Sequence, residues 1–84
     1  MFFERYLELI AEIGYVGKPL KKLETELSQR WGVSVRAVYY MINKLRREGL
    51  VRFRRYGKSK SIEVVPTAKL KKIMVRVEEK WLIK

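Results

Sequence analysis

Apolar residues recur every three or four positions in four segments of the chain, which is the spacing of one face of an α-helix. These segments are residues 3–13, 19–30, 35–48 and 67–83. The expected buried faces are Phe3, Tyr6, Leu7, Ile10 and Ile13 in the first helix, Leu20, Leu23, Leu27 and Trp31 in the second, and Leu70, Ile73, Met74, Val77 and Trp81 in the last. The pattern therefore predicts four amphipathic helices.

Glycine and proline separate the first two helices. Gly14 and Gly17 are expected to end the first helix. The extended pair Tyr15 and Val16 between them predicts a short strand. Pro19 suits the first turn of the second helix, where the amide hydrogen that proline lacks has no helical partner.

The junction between the second and third helices carries three local signals. Gly32 tolerates a left-handed backbone and should end the second helix, and Val33 can turn inward. Ser34 is a favoured N-cap, so the third helix should begin at Val35. Gly49 is expected to end it.

Two short segments after the third helix have the composition of β-strands. Leu50–Tyr56 and Ser61–Val65 alternate or carry β-branched residues, and a hydrophilic tip containing Gly57 lies between them. The predicted fold class is therefore mainly α with a small β-hairpin (α+β), in the order α-β-α-α-β-β-α. All 84 residues are expected to form one domain.

The segment LSQRWGVSVRAVYYMINKLRREGLVRF, positions 27–53, resembles the winged helix-turn-helix family, in particular small prokaryotic and archaeal transcription regulators. The resemblance implies a helix-turn-helix at about 19–48, a wing at about 50–65 and a C-terminal helix at about 67–83. It further implies sequence-specific binding of double-stranded DNA, with the recognition helix 35–48 in the major groove and the basic wing 51–64 on phosphates or in the minor groove.

The composition excludes several classes of site. The chain has no cysteine, histidine or aspartate, so disulfides and Cys/His metal sites are excluded and the commonest general base is missing. We therefore expect no enzyme activity, no cofactor and no small-molecule ligand. No apolar run is long enough for a membrane span, and a cytoplasmic location is expected. Amides are scarce and Lys, Arg and Glu abundant, which leaves a thermophilic source open.

The net charge of +11 is concentrated in one stretch of the chain. Residues 34–76 contain thirteen basic and two acidic side chains, whereas residues 1–33 and 77–84 are each neutral overall. A contiguous cationic block is typical of a site for a polyanion.

The third helix is expected to present a polar stripe opposite its apolar face. Arg36, Tyr40 and Asn43 fall within about 60° of one another on an ideal helix, and Tyr39 lies at the edge of this stripe. Arginine and asparagine can bind guanine and adenine edges, and tyrosine can contact a phosphate or a thymine methyl group. These four side chains are the predicted base contacts, although Tyr39 could instead pack against the wing.

Cations beside this stripe and in the hairpin are predicted to contact DNA phosphates. The predicted phosphate contacts are Ser34, Lys44, Arg47, Arg52, Arg54, Arg55, Lys58 and Lys60. The alternative is a hairpin whose charges serve only to prevent edge-to-edge aggregation. Lys69, Lys71 and Lys72 at the start of the last helix are either further phosphate contacts or a reflection of general lysine richness.

Apolar residues near both termini suggest a homodimer. Phe2, Leu9, Trp81 and Leu82 are the predicted interface, with packing of the two terminal helices within one chain as the alternative. A homodimer would hold two recognition helices about 34 Å apart on a pseudo-palindromic site. Three further alternatives are binding of RNA or a protein assembly, non-specific architectural DNA binding, and membrane-surface binding through the cationic last helix.

Overall fold

Seven secondary-structure elements follow one another in the predicted order. The computed structural model of the protein describes the backbone of residues 2–55 and 61–82 and the side chains of residues 4–55 and 61–77. The elements are α1 (Phe2–Ile13), β1 (Lys18–Pro19), α2 (Leu20–Trp31), α3 (Val35–Arg47), β2 (Val51–Arg55), β3 (Ile62–Pro66) and α4 (Ala68–Leu82). Within the described residues the fold is therefore α+β, with four helices and a small antiparallel sheet.

The three strands form one antiparallel sheet in the order β1-β3-β2. Phe53 of β2 and Lys18 of β1 both lie opposite Val64 of β3, so the hairpin is extended on its β3 side by the short strand that precedes α2. Phe53 and Ile62 are half-buried and Val64 is fully buried. One face of the hairpin therefore closes the core, as the sequence predicts.

The position of the short strand differs from the prediction. The amide of Gly14 donates to the carbonyl of Ile10, and the amide of Gly17 donates to that of Ile13, both at 3.0 Å. These bonds keep the chain coiled after α1, so Tyr15 and Val16 lie in a turn and the strand begins only at Lys18. The strand predicted at Tyr15 and Val16 was wrong because a turn at the end of a helix also accommodates these two residues.

The hydrophobic core combines residues from all four helices and the hairpin. Its buried members are Leu9, Ile13, Leu23, Leu27, Val38, Ile42, Leu45, Val51, Val64 and Leu70. Partly buried side chains such as Tyr6, Ile10 and Trp31 pack around this cluster. The buried faces of α2 and α3 agree with those predicted from their periodicity.

The buried face of α1 corrects the prediction in one respect that matters for function. Leu9, assigned to a dimer interface, is fully buried in the core, whereas Leu7 is 47% exposed. Residues 6, 9, 10 and 13 form a helical stripe as regular as the predicted one, and contact with the other elements selects it. Leu9 is thus unavailable to a second chain, and the assignment was wrong.

The N-terminus of α4 is attached to the turn that follows α3. The Thr67 hydroxyl lies 2.7 Å from the carbonyl oxygen of Gly49 and 3.0 Å from that of Leu50. The ammonium of Lys69 donates to the carbonyl of Glu48 at 3.2 Å, where the C-terminal end of α3 favours a cation. Lys69 therefore has an intramolecular partner, a third role besides the two considered from sequence.

Candidate nucleic-acid interface

Helix α3 is fixed at both ends by the local signals predicted for it. Ser34 has an extended backbone, and its side chain accepts a hydrogen bond from the amide of Ala37 at 3.1 Å. Before it, Gly32 adopts a left-handed conformation with φ of 66°. At the other end the amide of Leu50 donates to the carbonyl of Leu45, which closes the helix after Glu48. The helix is therefore firmly placed in the fold.

The face of α3 opposite the core is cationic and aromatic. Arg36, Lys44 and Arg47 are exposed, and Tyr40 is 61% exposed. Tyr39 is half-buried and lines a shallow depression together with Val35, Arg36, Tyr40 and Glu24 of α2. The segment Val35–Arg47 contains no acidic residue. Three of the four predicted base-contacting residues, Arg36, Tyr39 and Tyr40, thus share one concave surface.

Asn43, the fourth predicted base contact, has an unusual environment. The residue is half-buried, and its side-chain oxygen is buried without a hydrogen-bond partner. A buried acceptor left unpaired costs about 1 to 3 kcal/mol. Asparagine is also a weaker helix former than alanine, by roughly 0.5 kcal/mol. The free protein therefore gains no stability from asparagine here, and such a cost is typical of positions retained for binding.

We expect Asn43→Ala to affect stability and binding in opposite directions. The variant should unfold at the same temperature as the wild type or a few degrees higher, because an orphan acceptor and a poor helix former are both removed. Its affinity for a preferred duplex should fall by about 1 to 3 kcal/mol. Thermal melts and fluorescence anisotropy measure the two quantities, and a loss of stability with unchanged affinity would make Asn43 structural.

The β2–β3 hairpin lies against the C-terminal half of α3. The guanidinium carbon of Arg46 lies 4.5 Å from the centroid of the Phe53 ring, a cation–π contact that joins helix and strand. Arg55 is exposed and, two residues along β2, shares the strand face of Phe53. Arg52 is exposed on the opposite face. The fold therefore places Arg55 on the α3 side of the sheet and Arg52 on the other.

Arg54 differs from the other described cations of the hairpin. It lies directly opposite Glu63 in the sheet, and its guanidinium donates to the Glu63 carboxylate at 2.9 Å. This cross-strand ion pair neutralises one of the predicted phosphate contacts in the free protein. Lys58 and Lys60, also predicted to bind phosphate, lie outside the described residues.

Several charged side chains in the N-terminal part of the chain form ion pairs with one another. In the N-terminal part, Lys18 bridges Glu12 and Glu26 at 3.1 and 3.0 Å, and Arg30 approaches Glu12 at 3.5 Å. The hydrogen bond from Lys18 lowers the pKa of the Glu12 carboxyl, and the hydrogen bond to Glu26 raises the pKa of the Lys18 ammonium. The charges of these four side chains are therefore balanced by ion pairs within the protein.

The cations from α3 onward have few acidic neighbours. Among the described side chains of residues 34–76, every lysine and arginine except Arg54 is exposed, and the only ion pair is that of Arg54 with Glu63. The exposed cations are Arg36, Lys44, Arg46, Arg47, Arg52, Arg55, Lys69, Lys71, Lys72 and Arg76. Their charge is therefore available to an external polyanion.

Four arrangements of side chains could not be predicted from the sequence because each joins different secondary-structure elements. Trp31 donates from its indole nitrogen to the Glu8 carboxylate at 2.8 Å, and Arg5 lies over the same indole ring. Arg46 stacks on Phe53, and Glu24 lies beside the exposed face of α3. No signal of local periodicity or spacing could have paired these residues.

The remaining predictions concern the dimer, metals and membranes. The side chains of Phe2, Trp81 and Leu82, assigned to the dimer interface, lie outside the described ones. Among described residues, no group of three or more carboxylates is placed to hold a metal ion, and no helix combines the length and apolar composition required to cross a bilayer.

In comparisons with known proteins, the chain matches no protein-family model, no curated protein and no solved structure.

Proposed function

We propose that the protein is a winged-helix transcription regulator that binds double-stranded DNA in a sequence-specific manner. The observation that carries this proposal is the face of α3 opposite the core, which combines the exposed Arg36 and Tyr40 with the half-buried Asn43 and flanking cations and contains no acidic residue. These side chains match the donors, acceptors and methyl groups on base edges. A face that served only solubility would more often carry glutamate and lysine.

The dimensions of α3 suit the major groove. A helix of 13 residues is about 20 Å long, and the groove is about 12 Å wide, enough for one helix with its side chains. The α3 side chains would read base edges while Ser34, Lys44 and Arg47 contact phosphates. Ser34 keeps this option because its oxygen accepts the cap bond while its hydroxyl hydrogen can still be donated.

The hairpin acts as the wing in this proposal. Arg55, on the α3 side of the sheet, would reach the phosphate backbone beside the groove occupied by α3. Arg52, on the other face, would contact a more distant phosphate. These contacts hold the protein on DNA irrespective of sequence, and salt weakens them because counterions are released on binding. Membrane and enzyme functions have no comparable observation in their support.

A homodimer completes the proposal, with α4 as the contact surface. Leu70 is buried and Met74 half-buried, but Ile73 and Val77 on the same helical stripe are 44% and 43% exposed. Three exposed lysines lie in the first half of α4, and Arg76 is exposed in its second half. Antiparallel packing of two α4 helices would cover this stripe and keep the lysine-rich first halves of the two helices apart, so that their like charges do not repel at close range.

Substitutions on the two faces of α4 test the dimer. We expect Val77→Lys to shift the protein towards monomer and to weaken binding to a two-half-site duplex, because it puts a charge into the apolar stripe. Val75→Lys is the matched control, since Val75 is equally exposed at 43% but faces away from the stripe. Sedimentation equilibrium measures the effect, and equal monomer fractions for wild type and both variants would contradict an α4 dimer.

Selection of bound duplexes from a random DNA pool at two salt concentrations tests the proposed function itself. Enrichment of an inverted repeat, with half-sites about one helical turn apart and binding that survives the higher salt, is the expected result. Binding that enriches no sequence and disappears steeply with salt would contradict it, since only phosphate attraction would remain. Preferential competition by single-stranded RNA would instead favour the RNA-binding alternative.

A further inference from the structure

Glu24 is an acidic residue of α2 that lies beside the exposed face of α3. It lines the depression formed with Val35, Arg36, Tyr39 and Tyr40. It also lines a second depression, formed with Pro19, Leu20, Lys21, Ser61 and Ile62. Glu24 therefore lies where α2, the exposed face of α3 and the start of β3 meet.

The Glu24 carboxylate has no intramolecular partner among the described residues. The other half-buried glutamates, Glu12, Glu26 and Glu63, each accept a hydrogen bond from lysine or arginine. Glu24 is also half-buried, yet neither Lys21 nor Arg36, which line the same depressions, forms an ion pair with it. Burial raises the pKa of the Glu24 carboxyl above its ordinary value because water is partly excluded without a compensating donor.

We propose that Glu24 determines DNA specificity by accepting a hydrogen bond from a base amino group, cytosine N4 or adenine N6, next to the base contacted by Arg36. The inference rests on the proposed function, since it requires α3 to lie in the major groove. Glu24 then discriminates between bases by direct contact. It belongs to α2, a helix that otherwise contributes no side chain to the base-reading surface.

The chemistry of the major groove gives the reason for such a residue. Cytosine and adenine each present an amino donor there, whereas guanine and thymine present oxygen acceptors. A carboxylate can accept a hydrogen bond but cannot donate one. A base amino group can therefore pair with it, whereas a base carbonyl oxygen leaves it without a partner and repels it. Arg36 only donates and therefore selects the opposite pattern. One G·C pair offers both partners, acceptors on guanine and a donor on cytosine.

The unpaired carboxylate also acts against incorrect complexes. On a duplex that offers no amino group at this place, Glu24 is desolvated without compensation and lies near phosphates that repel it. Non-specific complexes are thereby weakened, while the correct complex supplies the missing donor. The ratio of specific to non-specific affinity therefore increases, although Glu24 reduces the total positive charge of the protein.

Glu24→Gln and Glu4→Gln together test this role. Both substitutions remove one negative charge, but Glu4 is exposed on α1 and lines neither depression. Binding of wild type and both variants is measured on the selected duplex and on duplexes with each base pair replaced in turn. For Glu24→Gln, discrimination at one base pair should fall from about tenfold or more to about threefold or less, and affinity for unrelated duplexes should rise. Glu4→Gln should leave every preference unchanged.

Three outcomes separate the possibilities. If Glu24→Gln matches Glu4→Gln at every base pair while Arg36→Ala still relaxes one of them, the role of Glu24 is overturned and the proposed function stands. If no duplex is preferred by any of the proteins, both are overturned. A marked drop in the unfolding temperature of Glu24→Gln alone would reveal a structural partner for the carboxylate and would also overturn the inference.

Discussion

Gly17→Ala should lower the free energy of unfolding by about 2 to 4 kcal/mol, the largest stability change we expect from removing or adding one methyl group in this protein. Gly17 has φ of +100°, and a Cβ built on it would lie 2.6 Å from Cγ1 of Val65 and 2.8 Å from the carbonyl oxygen of Val64. The second neighbour is backbone of β3 and cannot rotate away. The variant must therefore separate the turn after α1 from the sheet.

Gly32→Ala is the matched control for this prediction. Gly32 also has a positive φ, +66°, but a Cβ there would meet no atom within 4 Å. Its substitution should cost only the conformational penalty, about 1 to 2 kcal/mol. Urea unfolding followed by circular dichroism measures both values. If Gly17→Ala cost no more than Gly32→Ala, the close approach of the turn to β3 would be refuted.

Arg36→Ala should produce the largest change in specificity expected from one side chain of α3. Arg36 is exposed and lies in the depression with Tyr39 and Tyr40, so its removal should not change the unfolding temperature. Loss of a bidentate contact to guanine should reduce affinity for the selected duplex by about 1 to 3 kcal/mol and remove the preference at one base pair. Anisotropy titrations with single-substituted duplexes measure both effects.

Arg55→Ala is the comparison variant, because Arg55 is an exposed arginine of the hairpin with a predicted phosphate contact. It should weaken all duplexes alike and reduce the slope of log affinity against log salt by about one. Lys58→Ala should behave in the same way. Equal losses on every sequence for Arg36→Ala and Arg55→Ala would show that α3 binds phosphates only, and the recognition role of α3 would then be wrong.

Much of the fold could be predicted because its signals are local. The N-cap of Ser34, the left-handed Gly32 and the apolar spacing of Leu23 and Leu27 each act within a few residues, and the structure contains all of them. The exposed face of α3 follows from the same periodicity, since burying Val38, Ile42 and Leu45 leaves the arginine and tyrosine side outward. Local chemistry therefore predicted the elements and most of the candidate site.

The incorrect or missing parts concern residues whose environment depends on distant segments. Both Leu7 and Leu9 continue an apolar stripe on α1, and only packing against the rest of the core decides that Leu9 is buried. The partner of Arg54 is set by the register of the sheet. Likewise, only the packing of α2 against α3 reveals that Glu24 and Arg36 line the same depression.

The sequence by itself determined the order of the helices and strands, the class of fold and the concentration of positive charge after residue 33, because caps, turn residues and charges act at short range along the chain. The tertiary structure decided which of these charges remain unpaired and which apolar face stays uncovered. It brings together residues such as Lys69 and Glu48, 21 positions apart, whose contact depends on how the helices and the sheet pack and has no local signature.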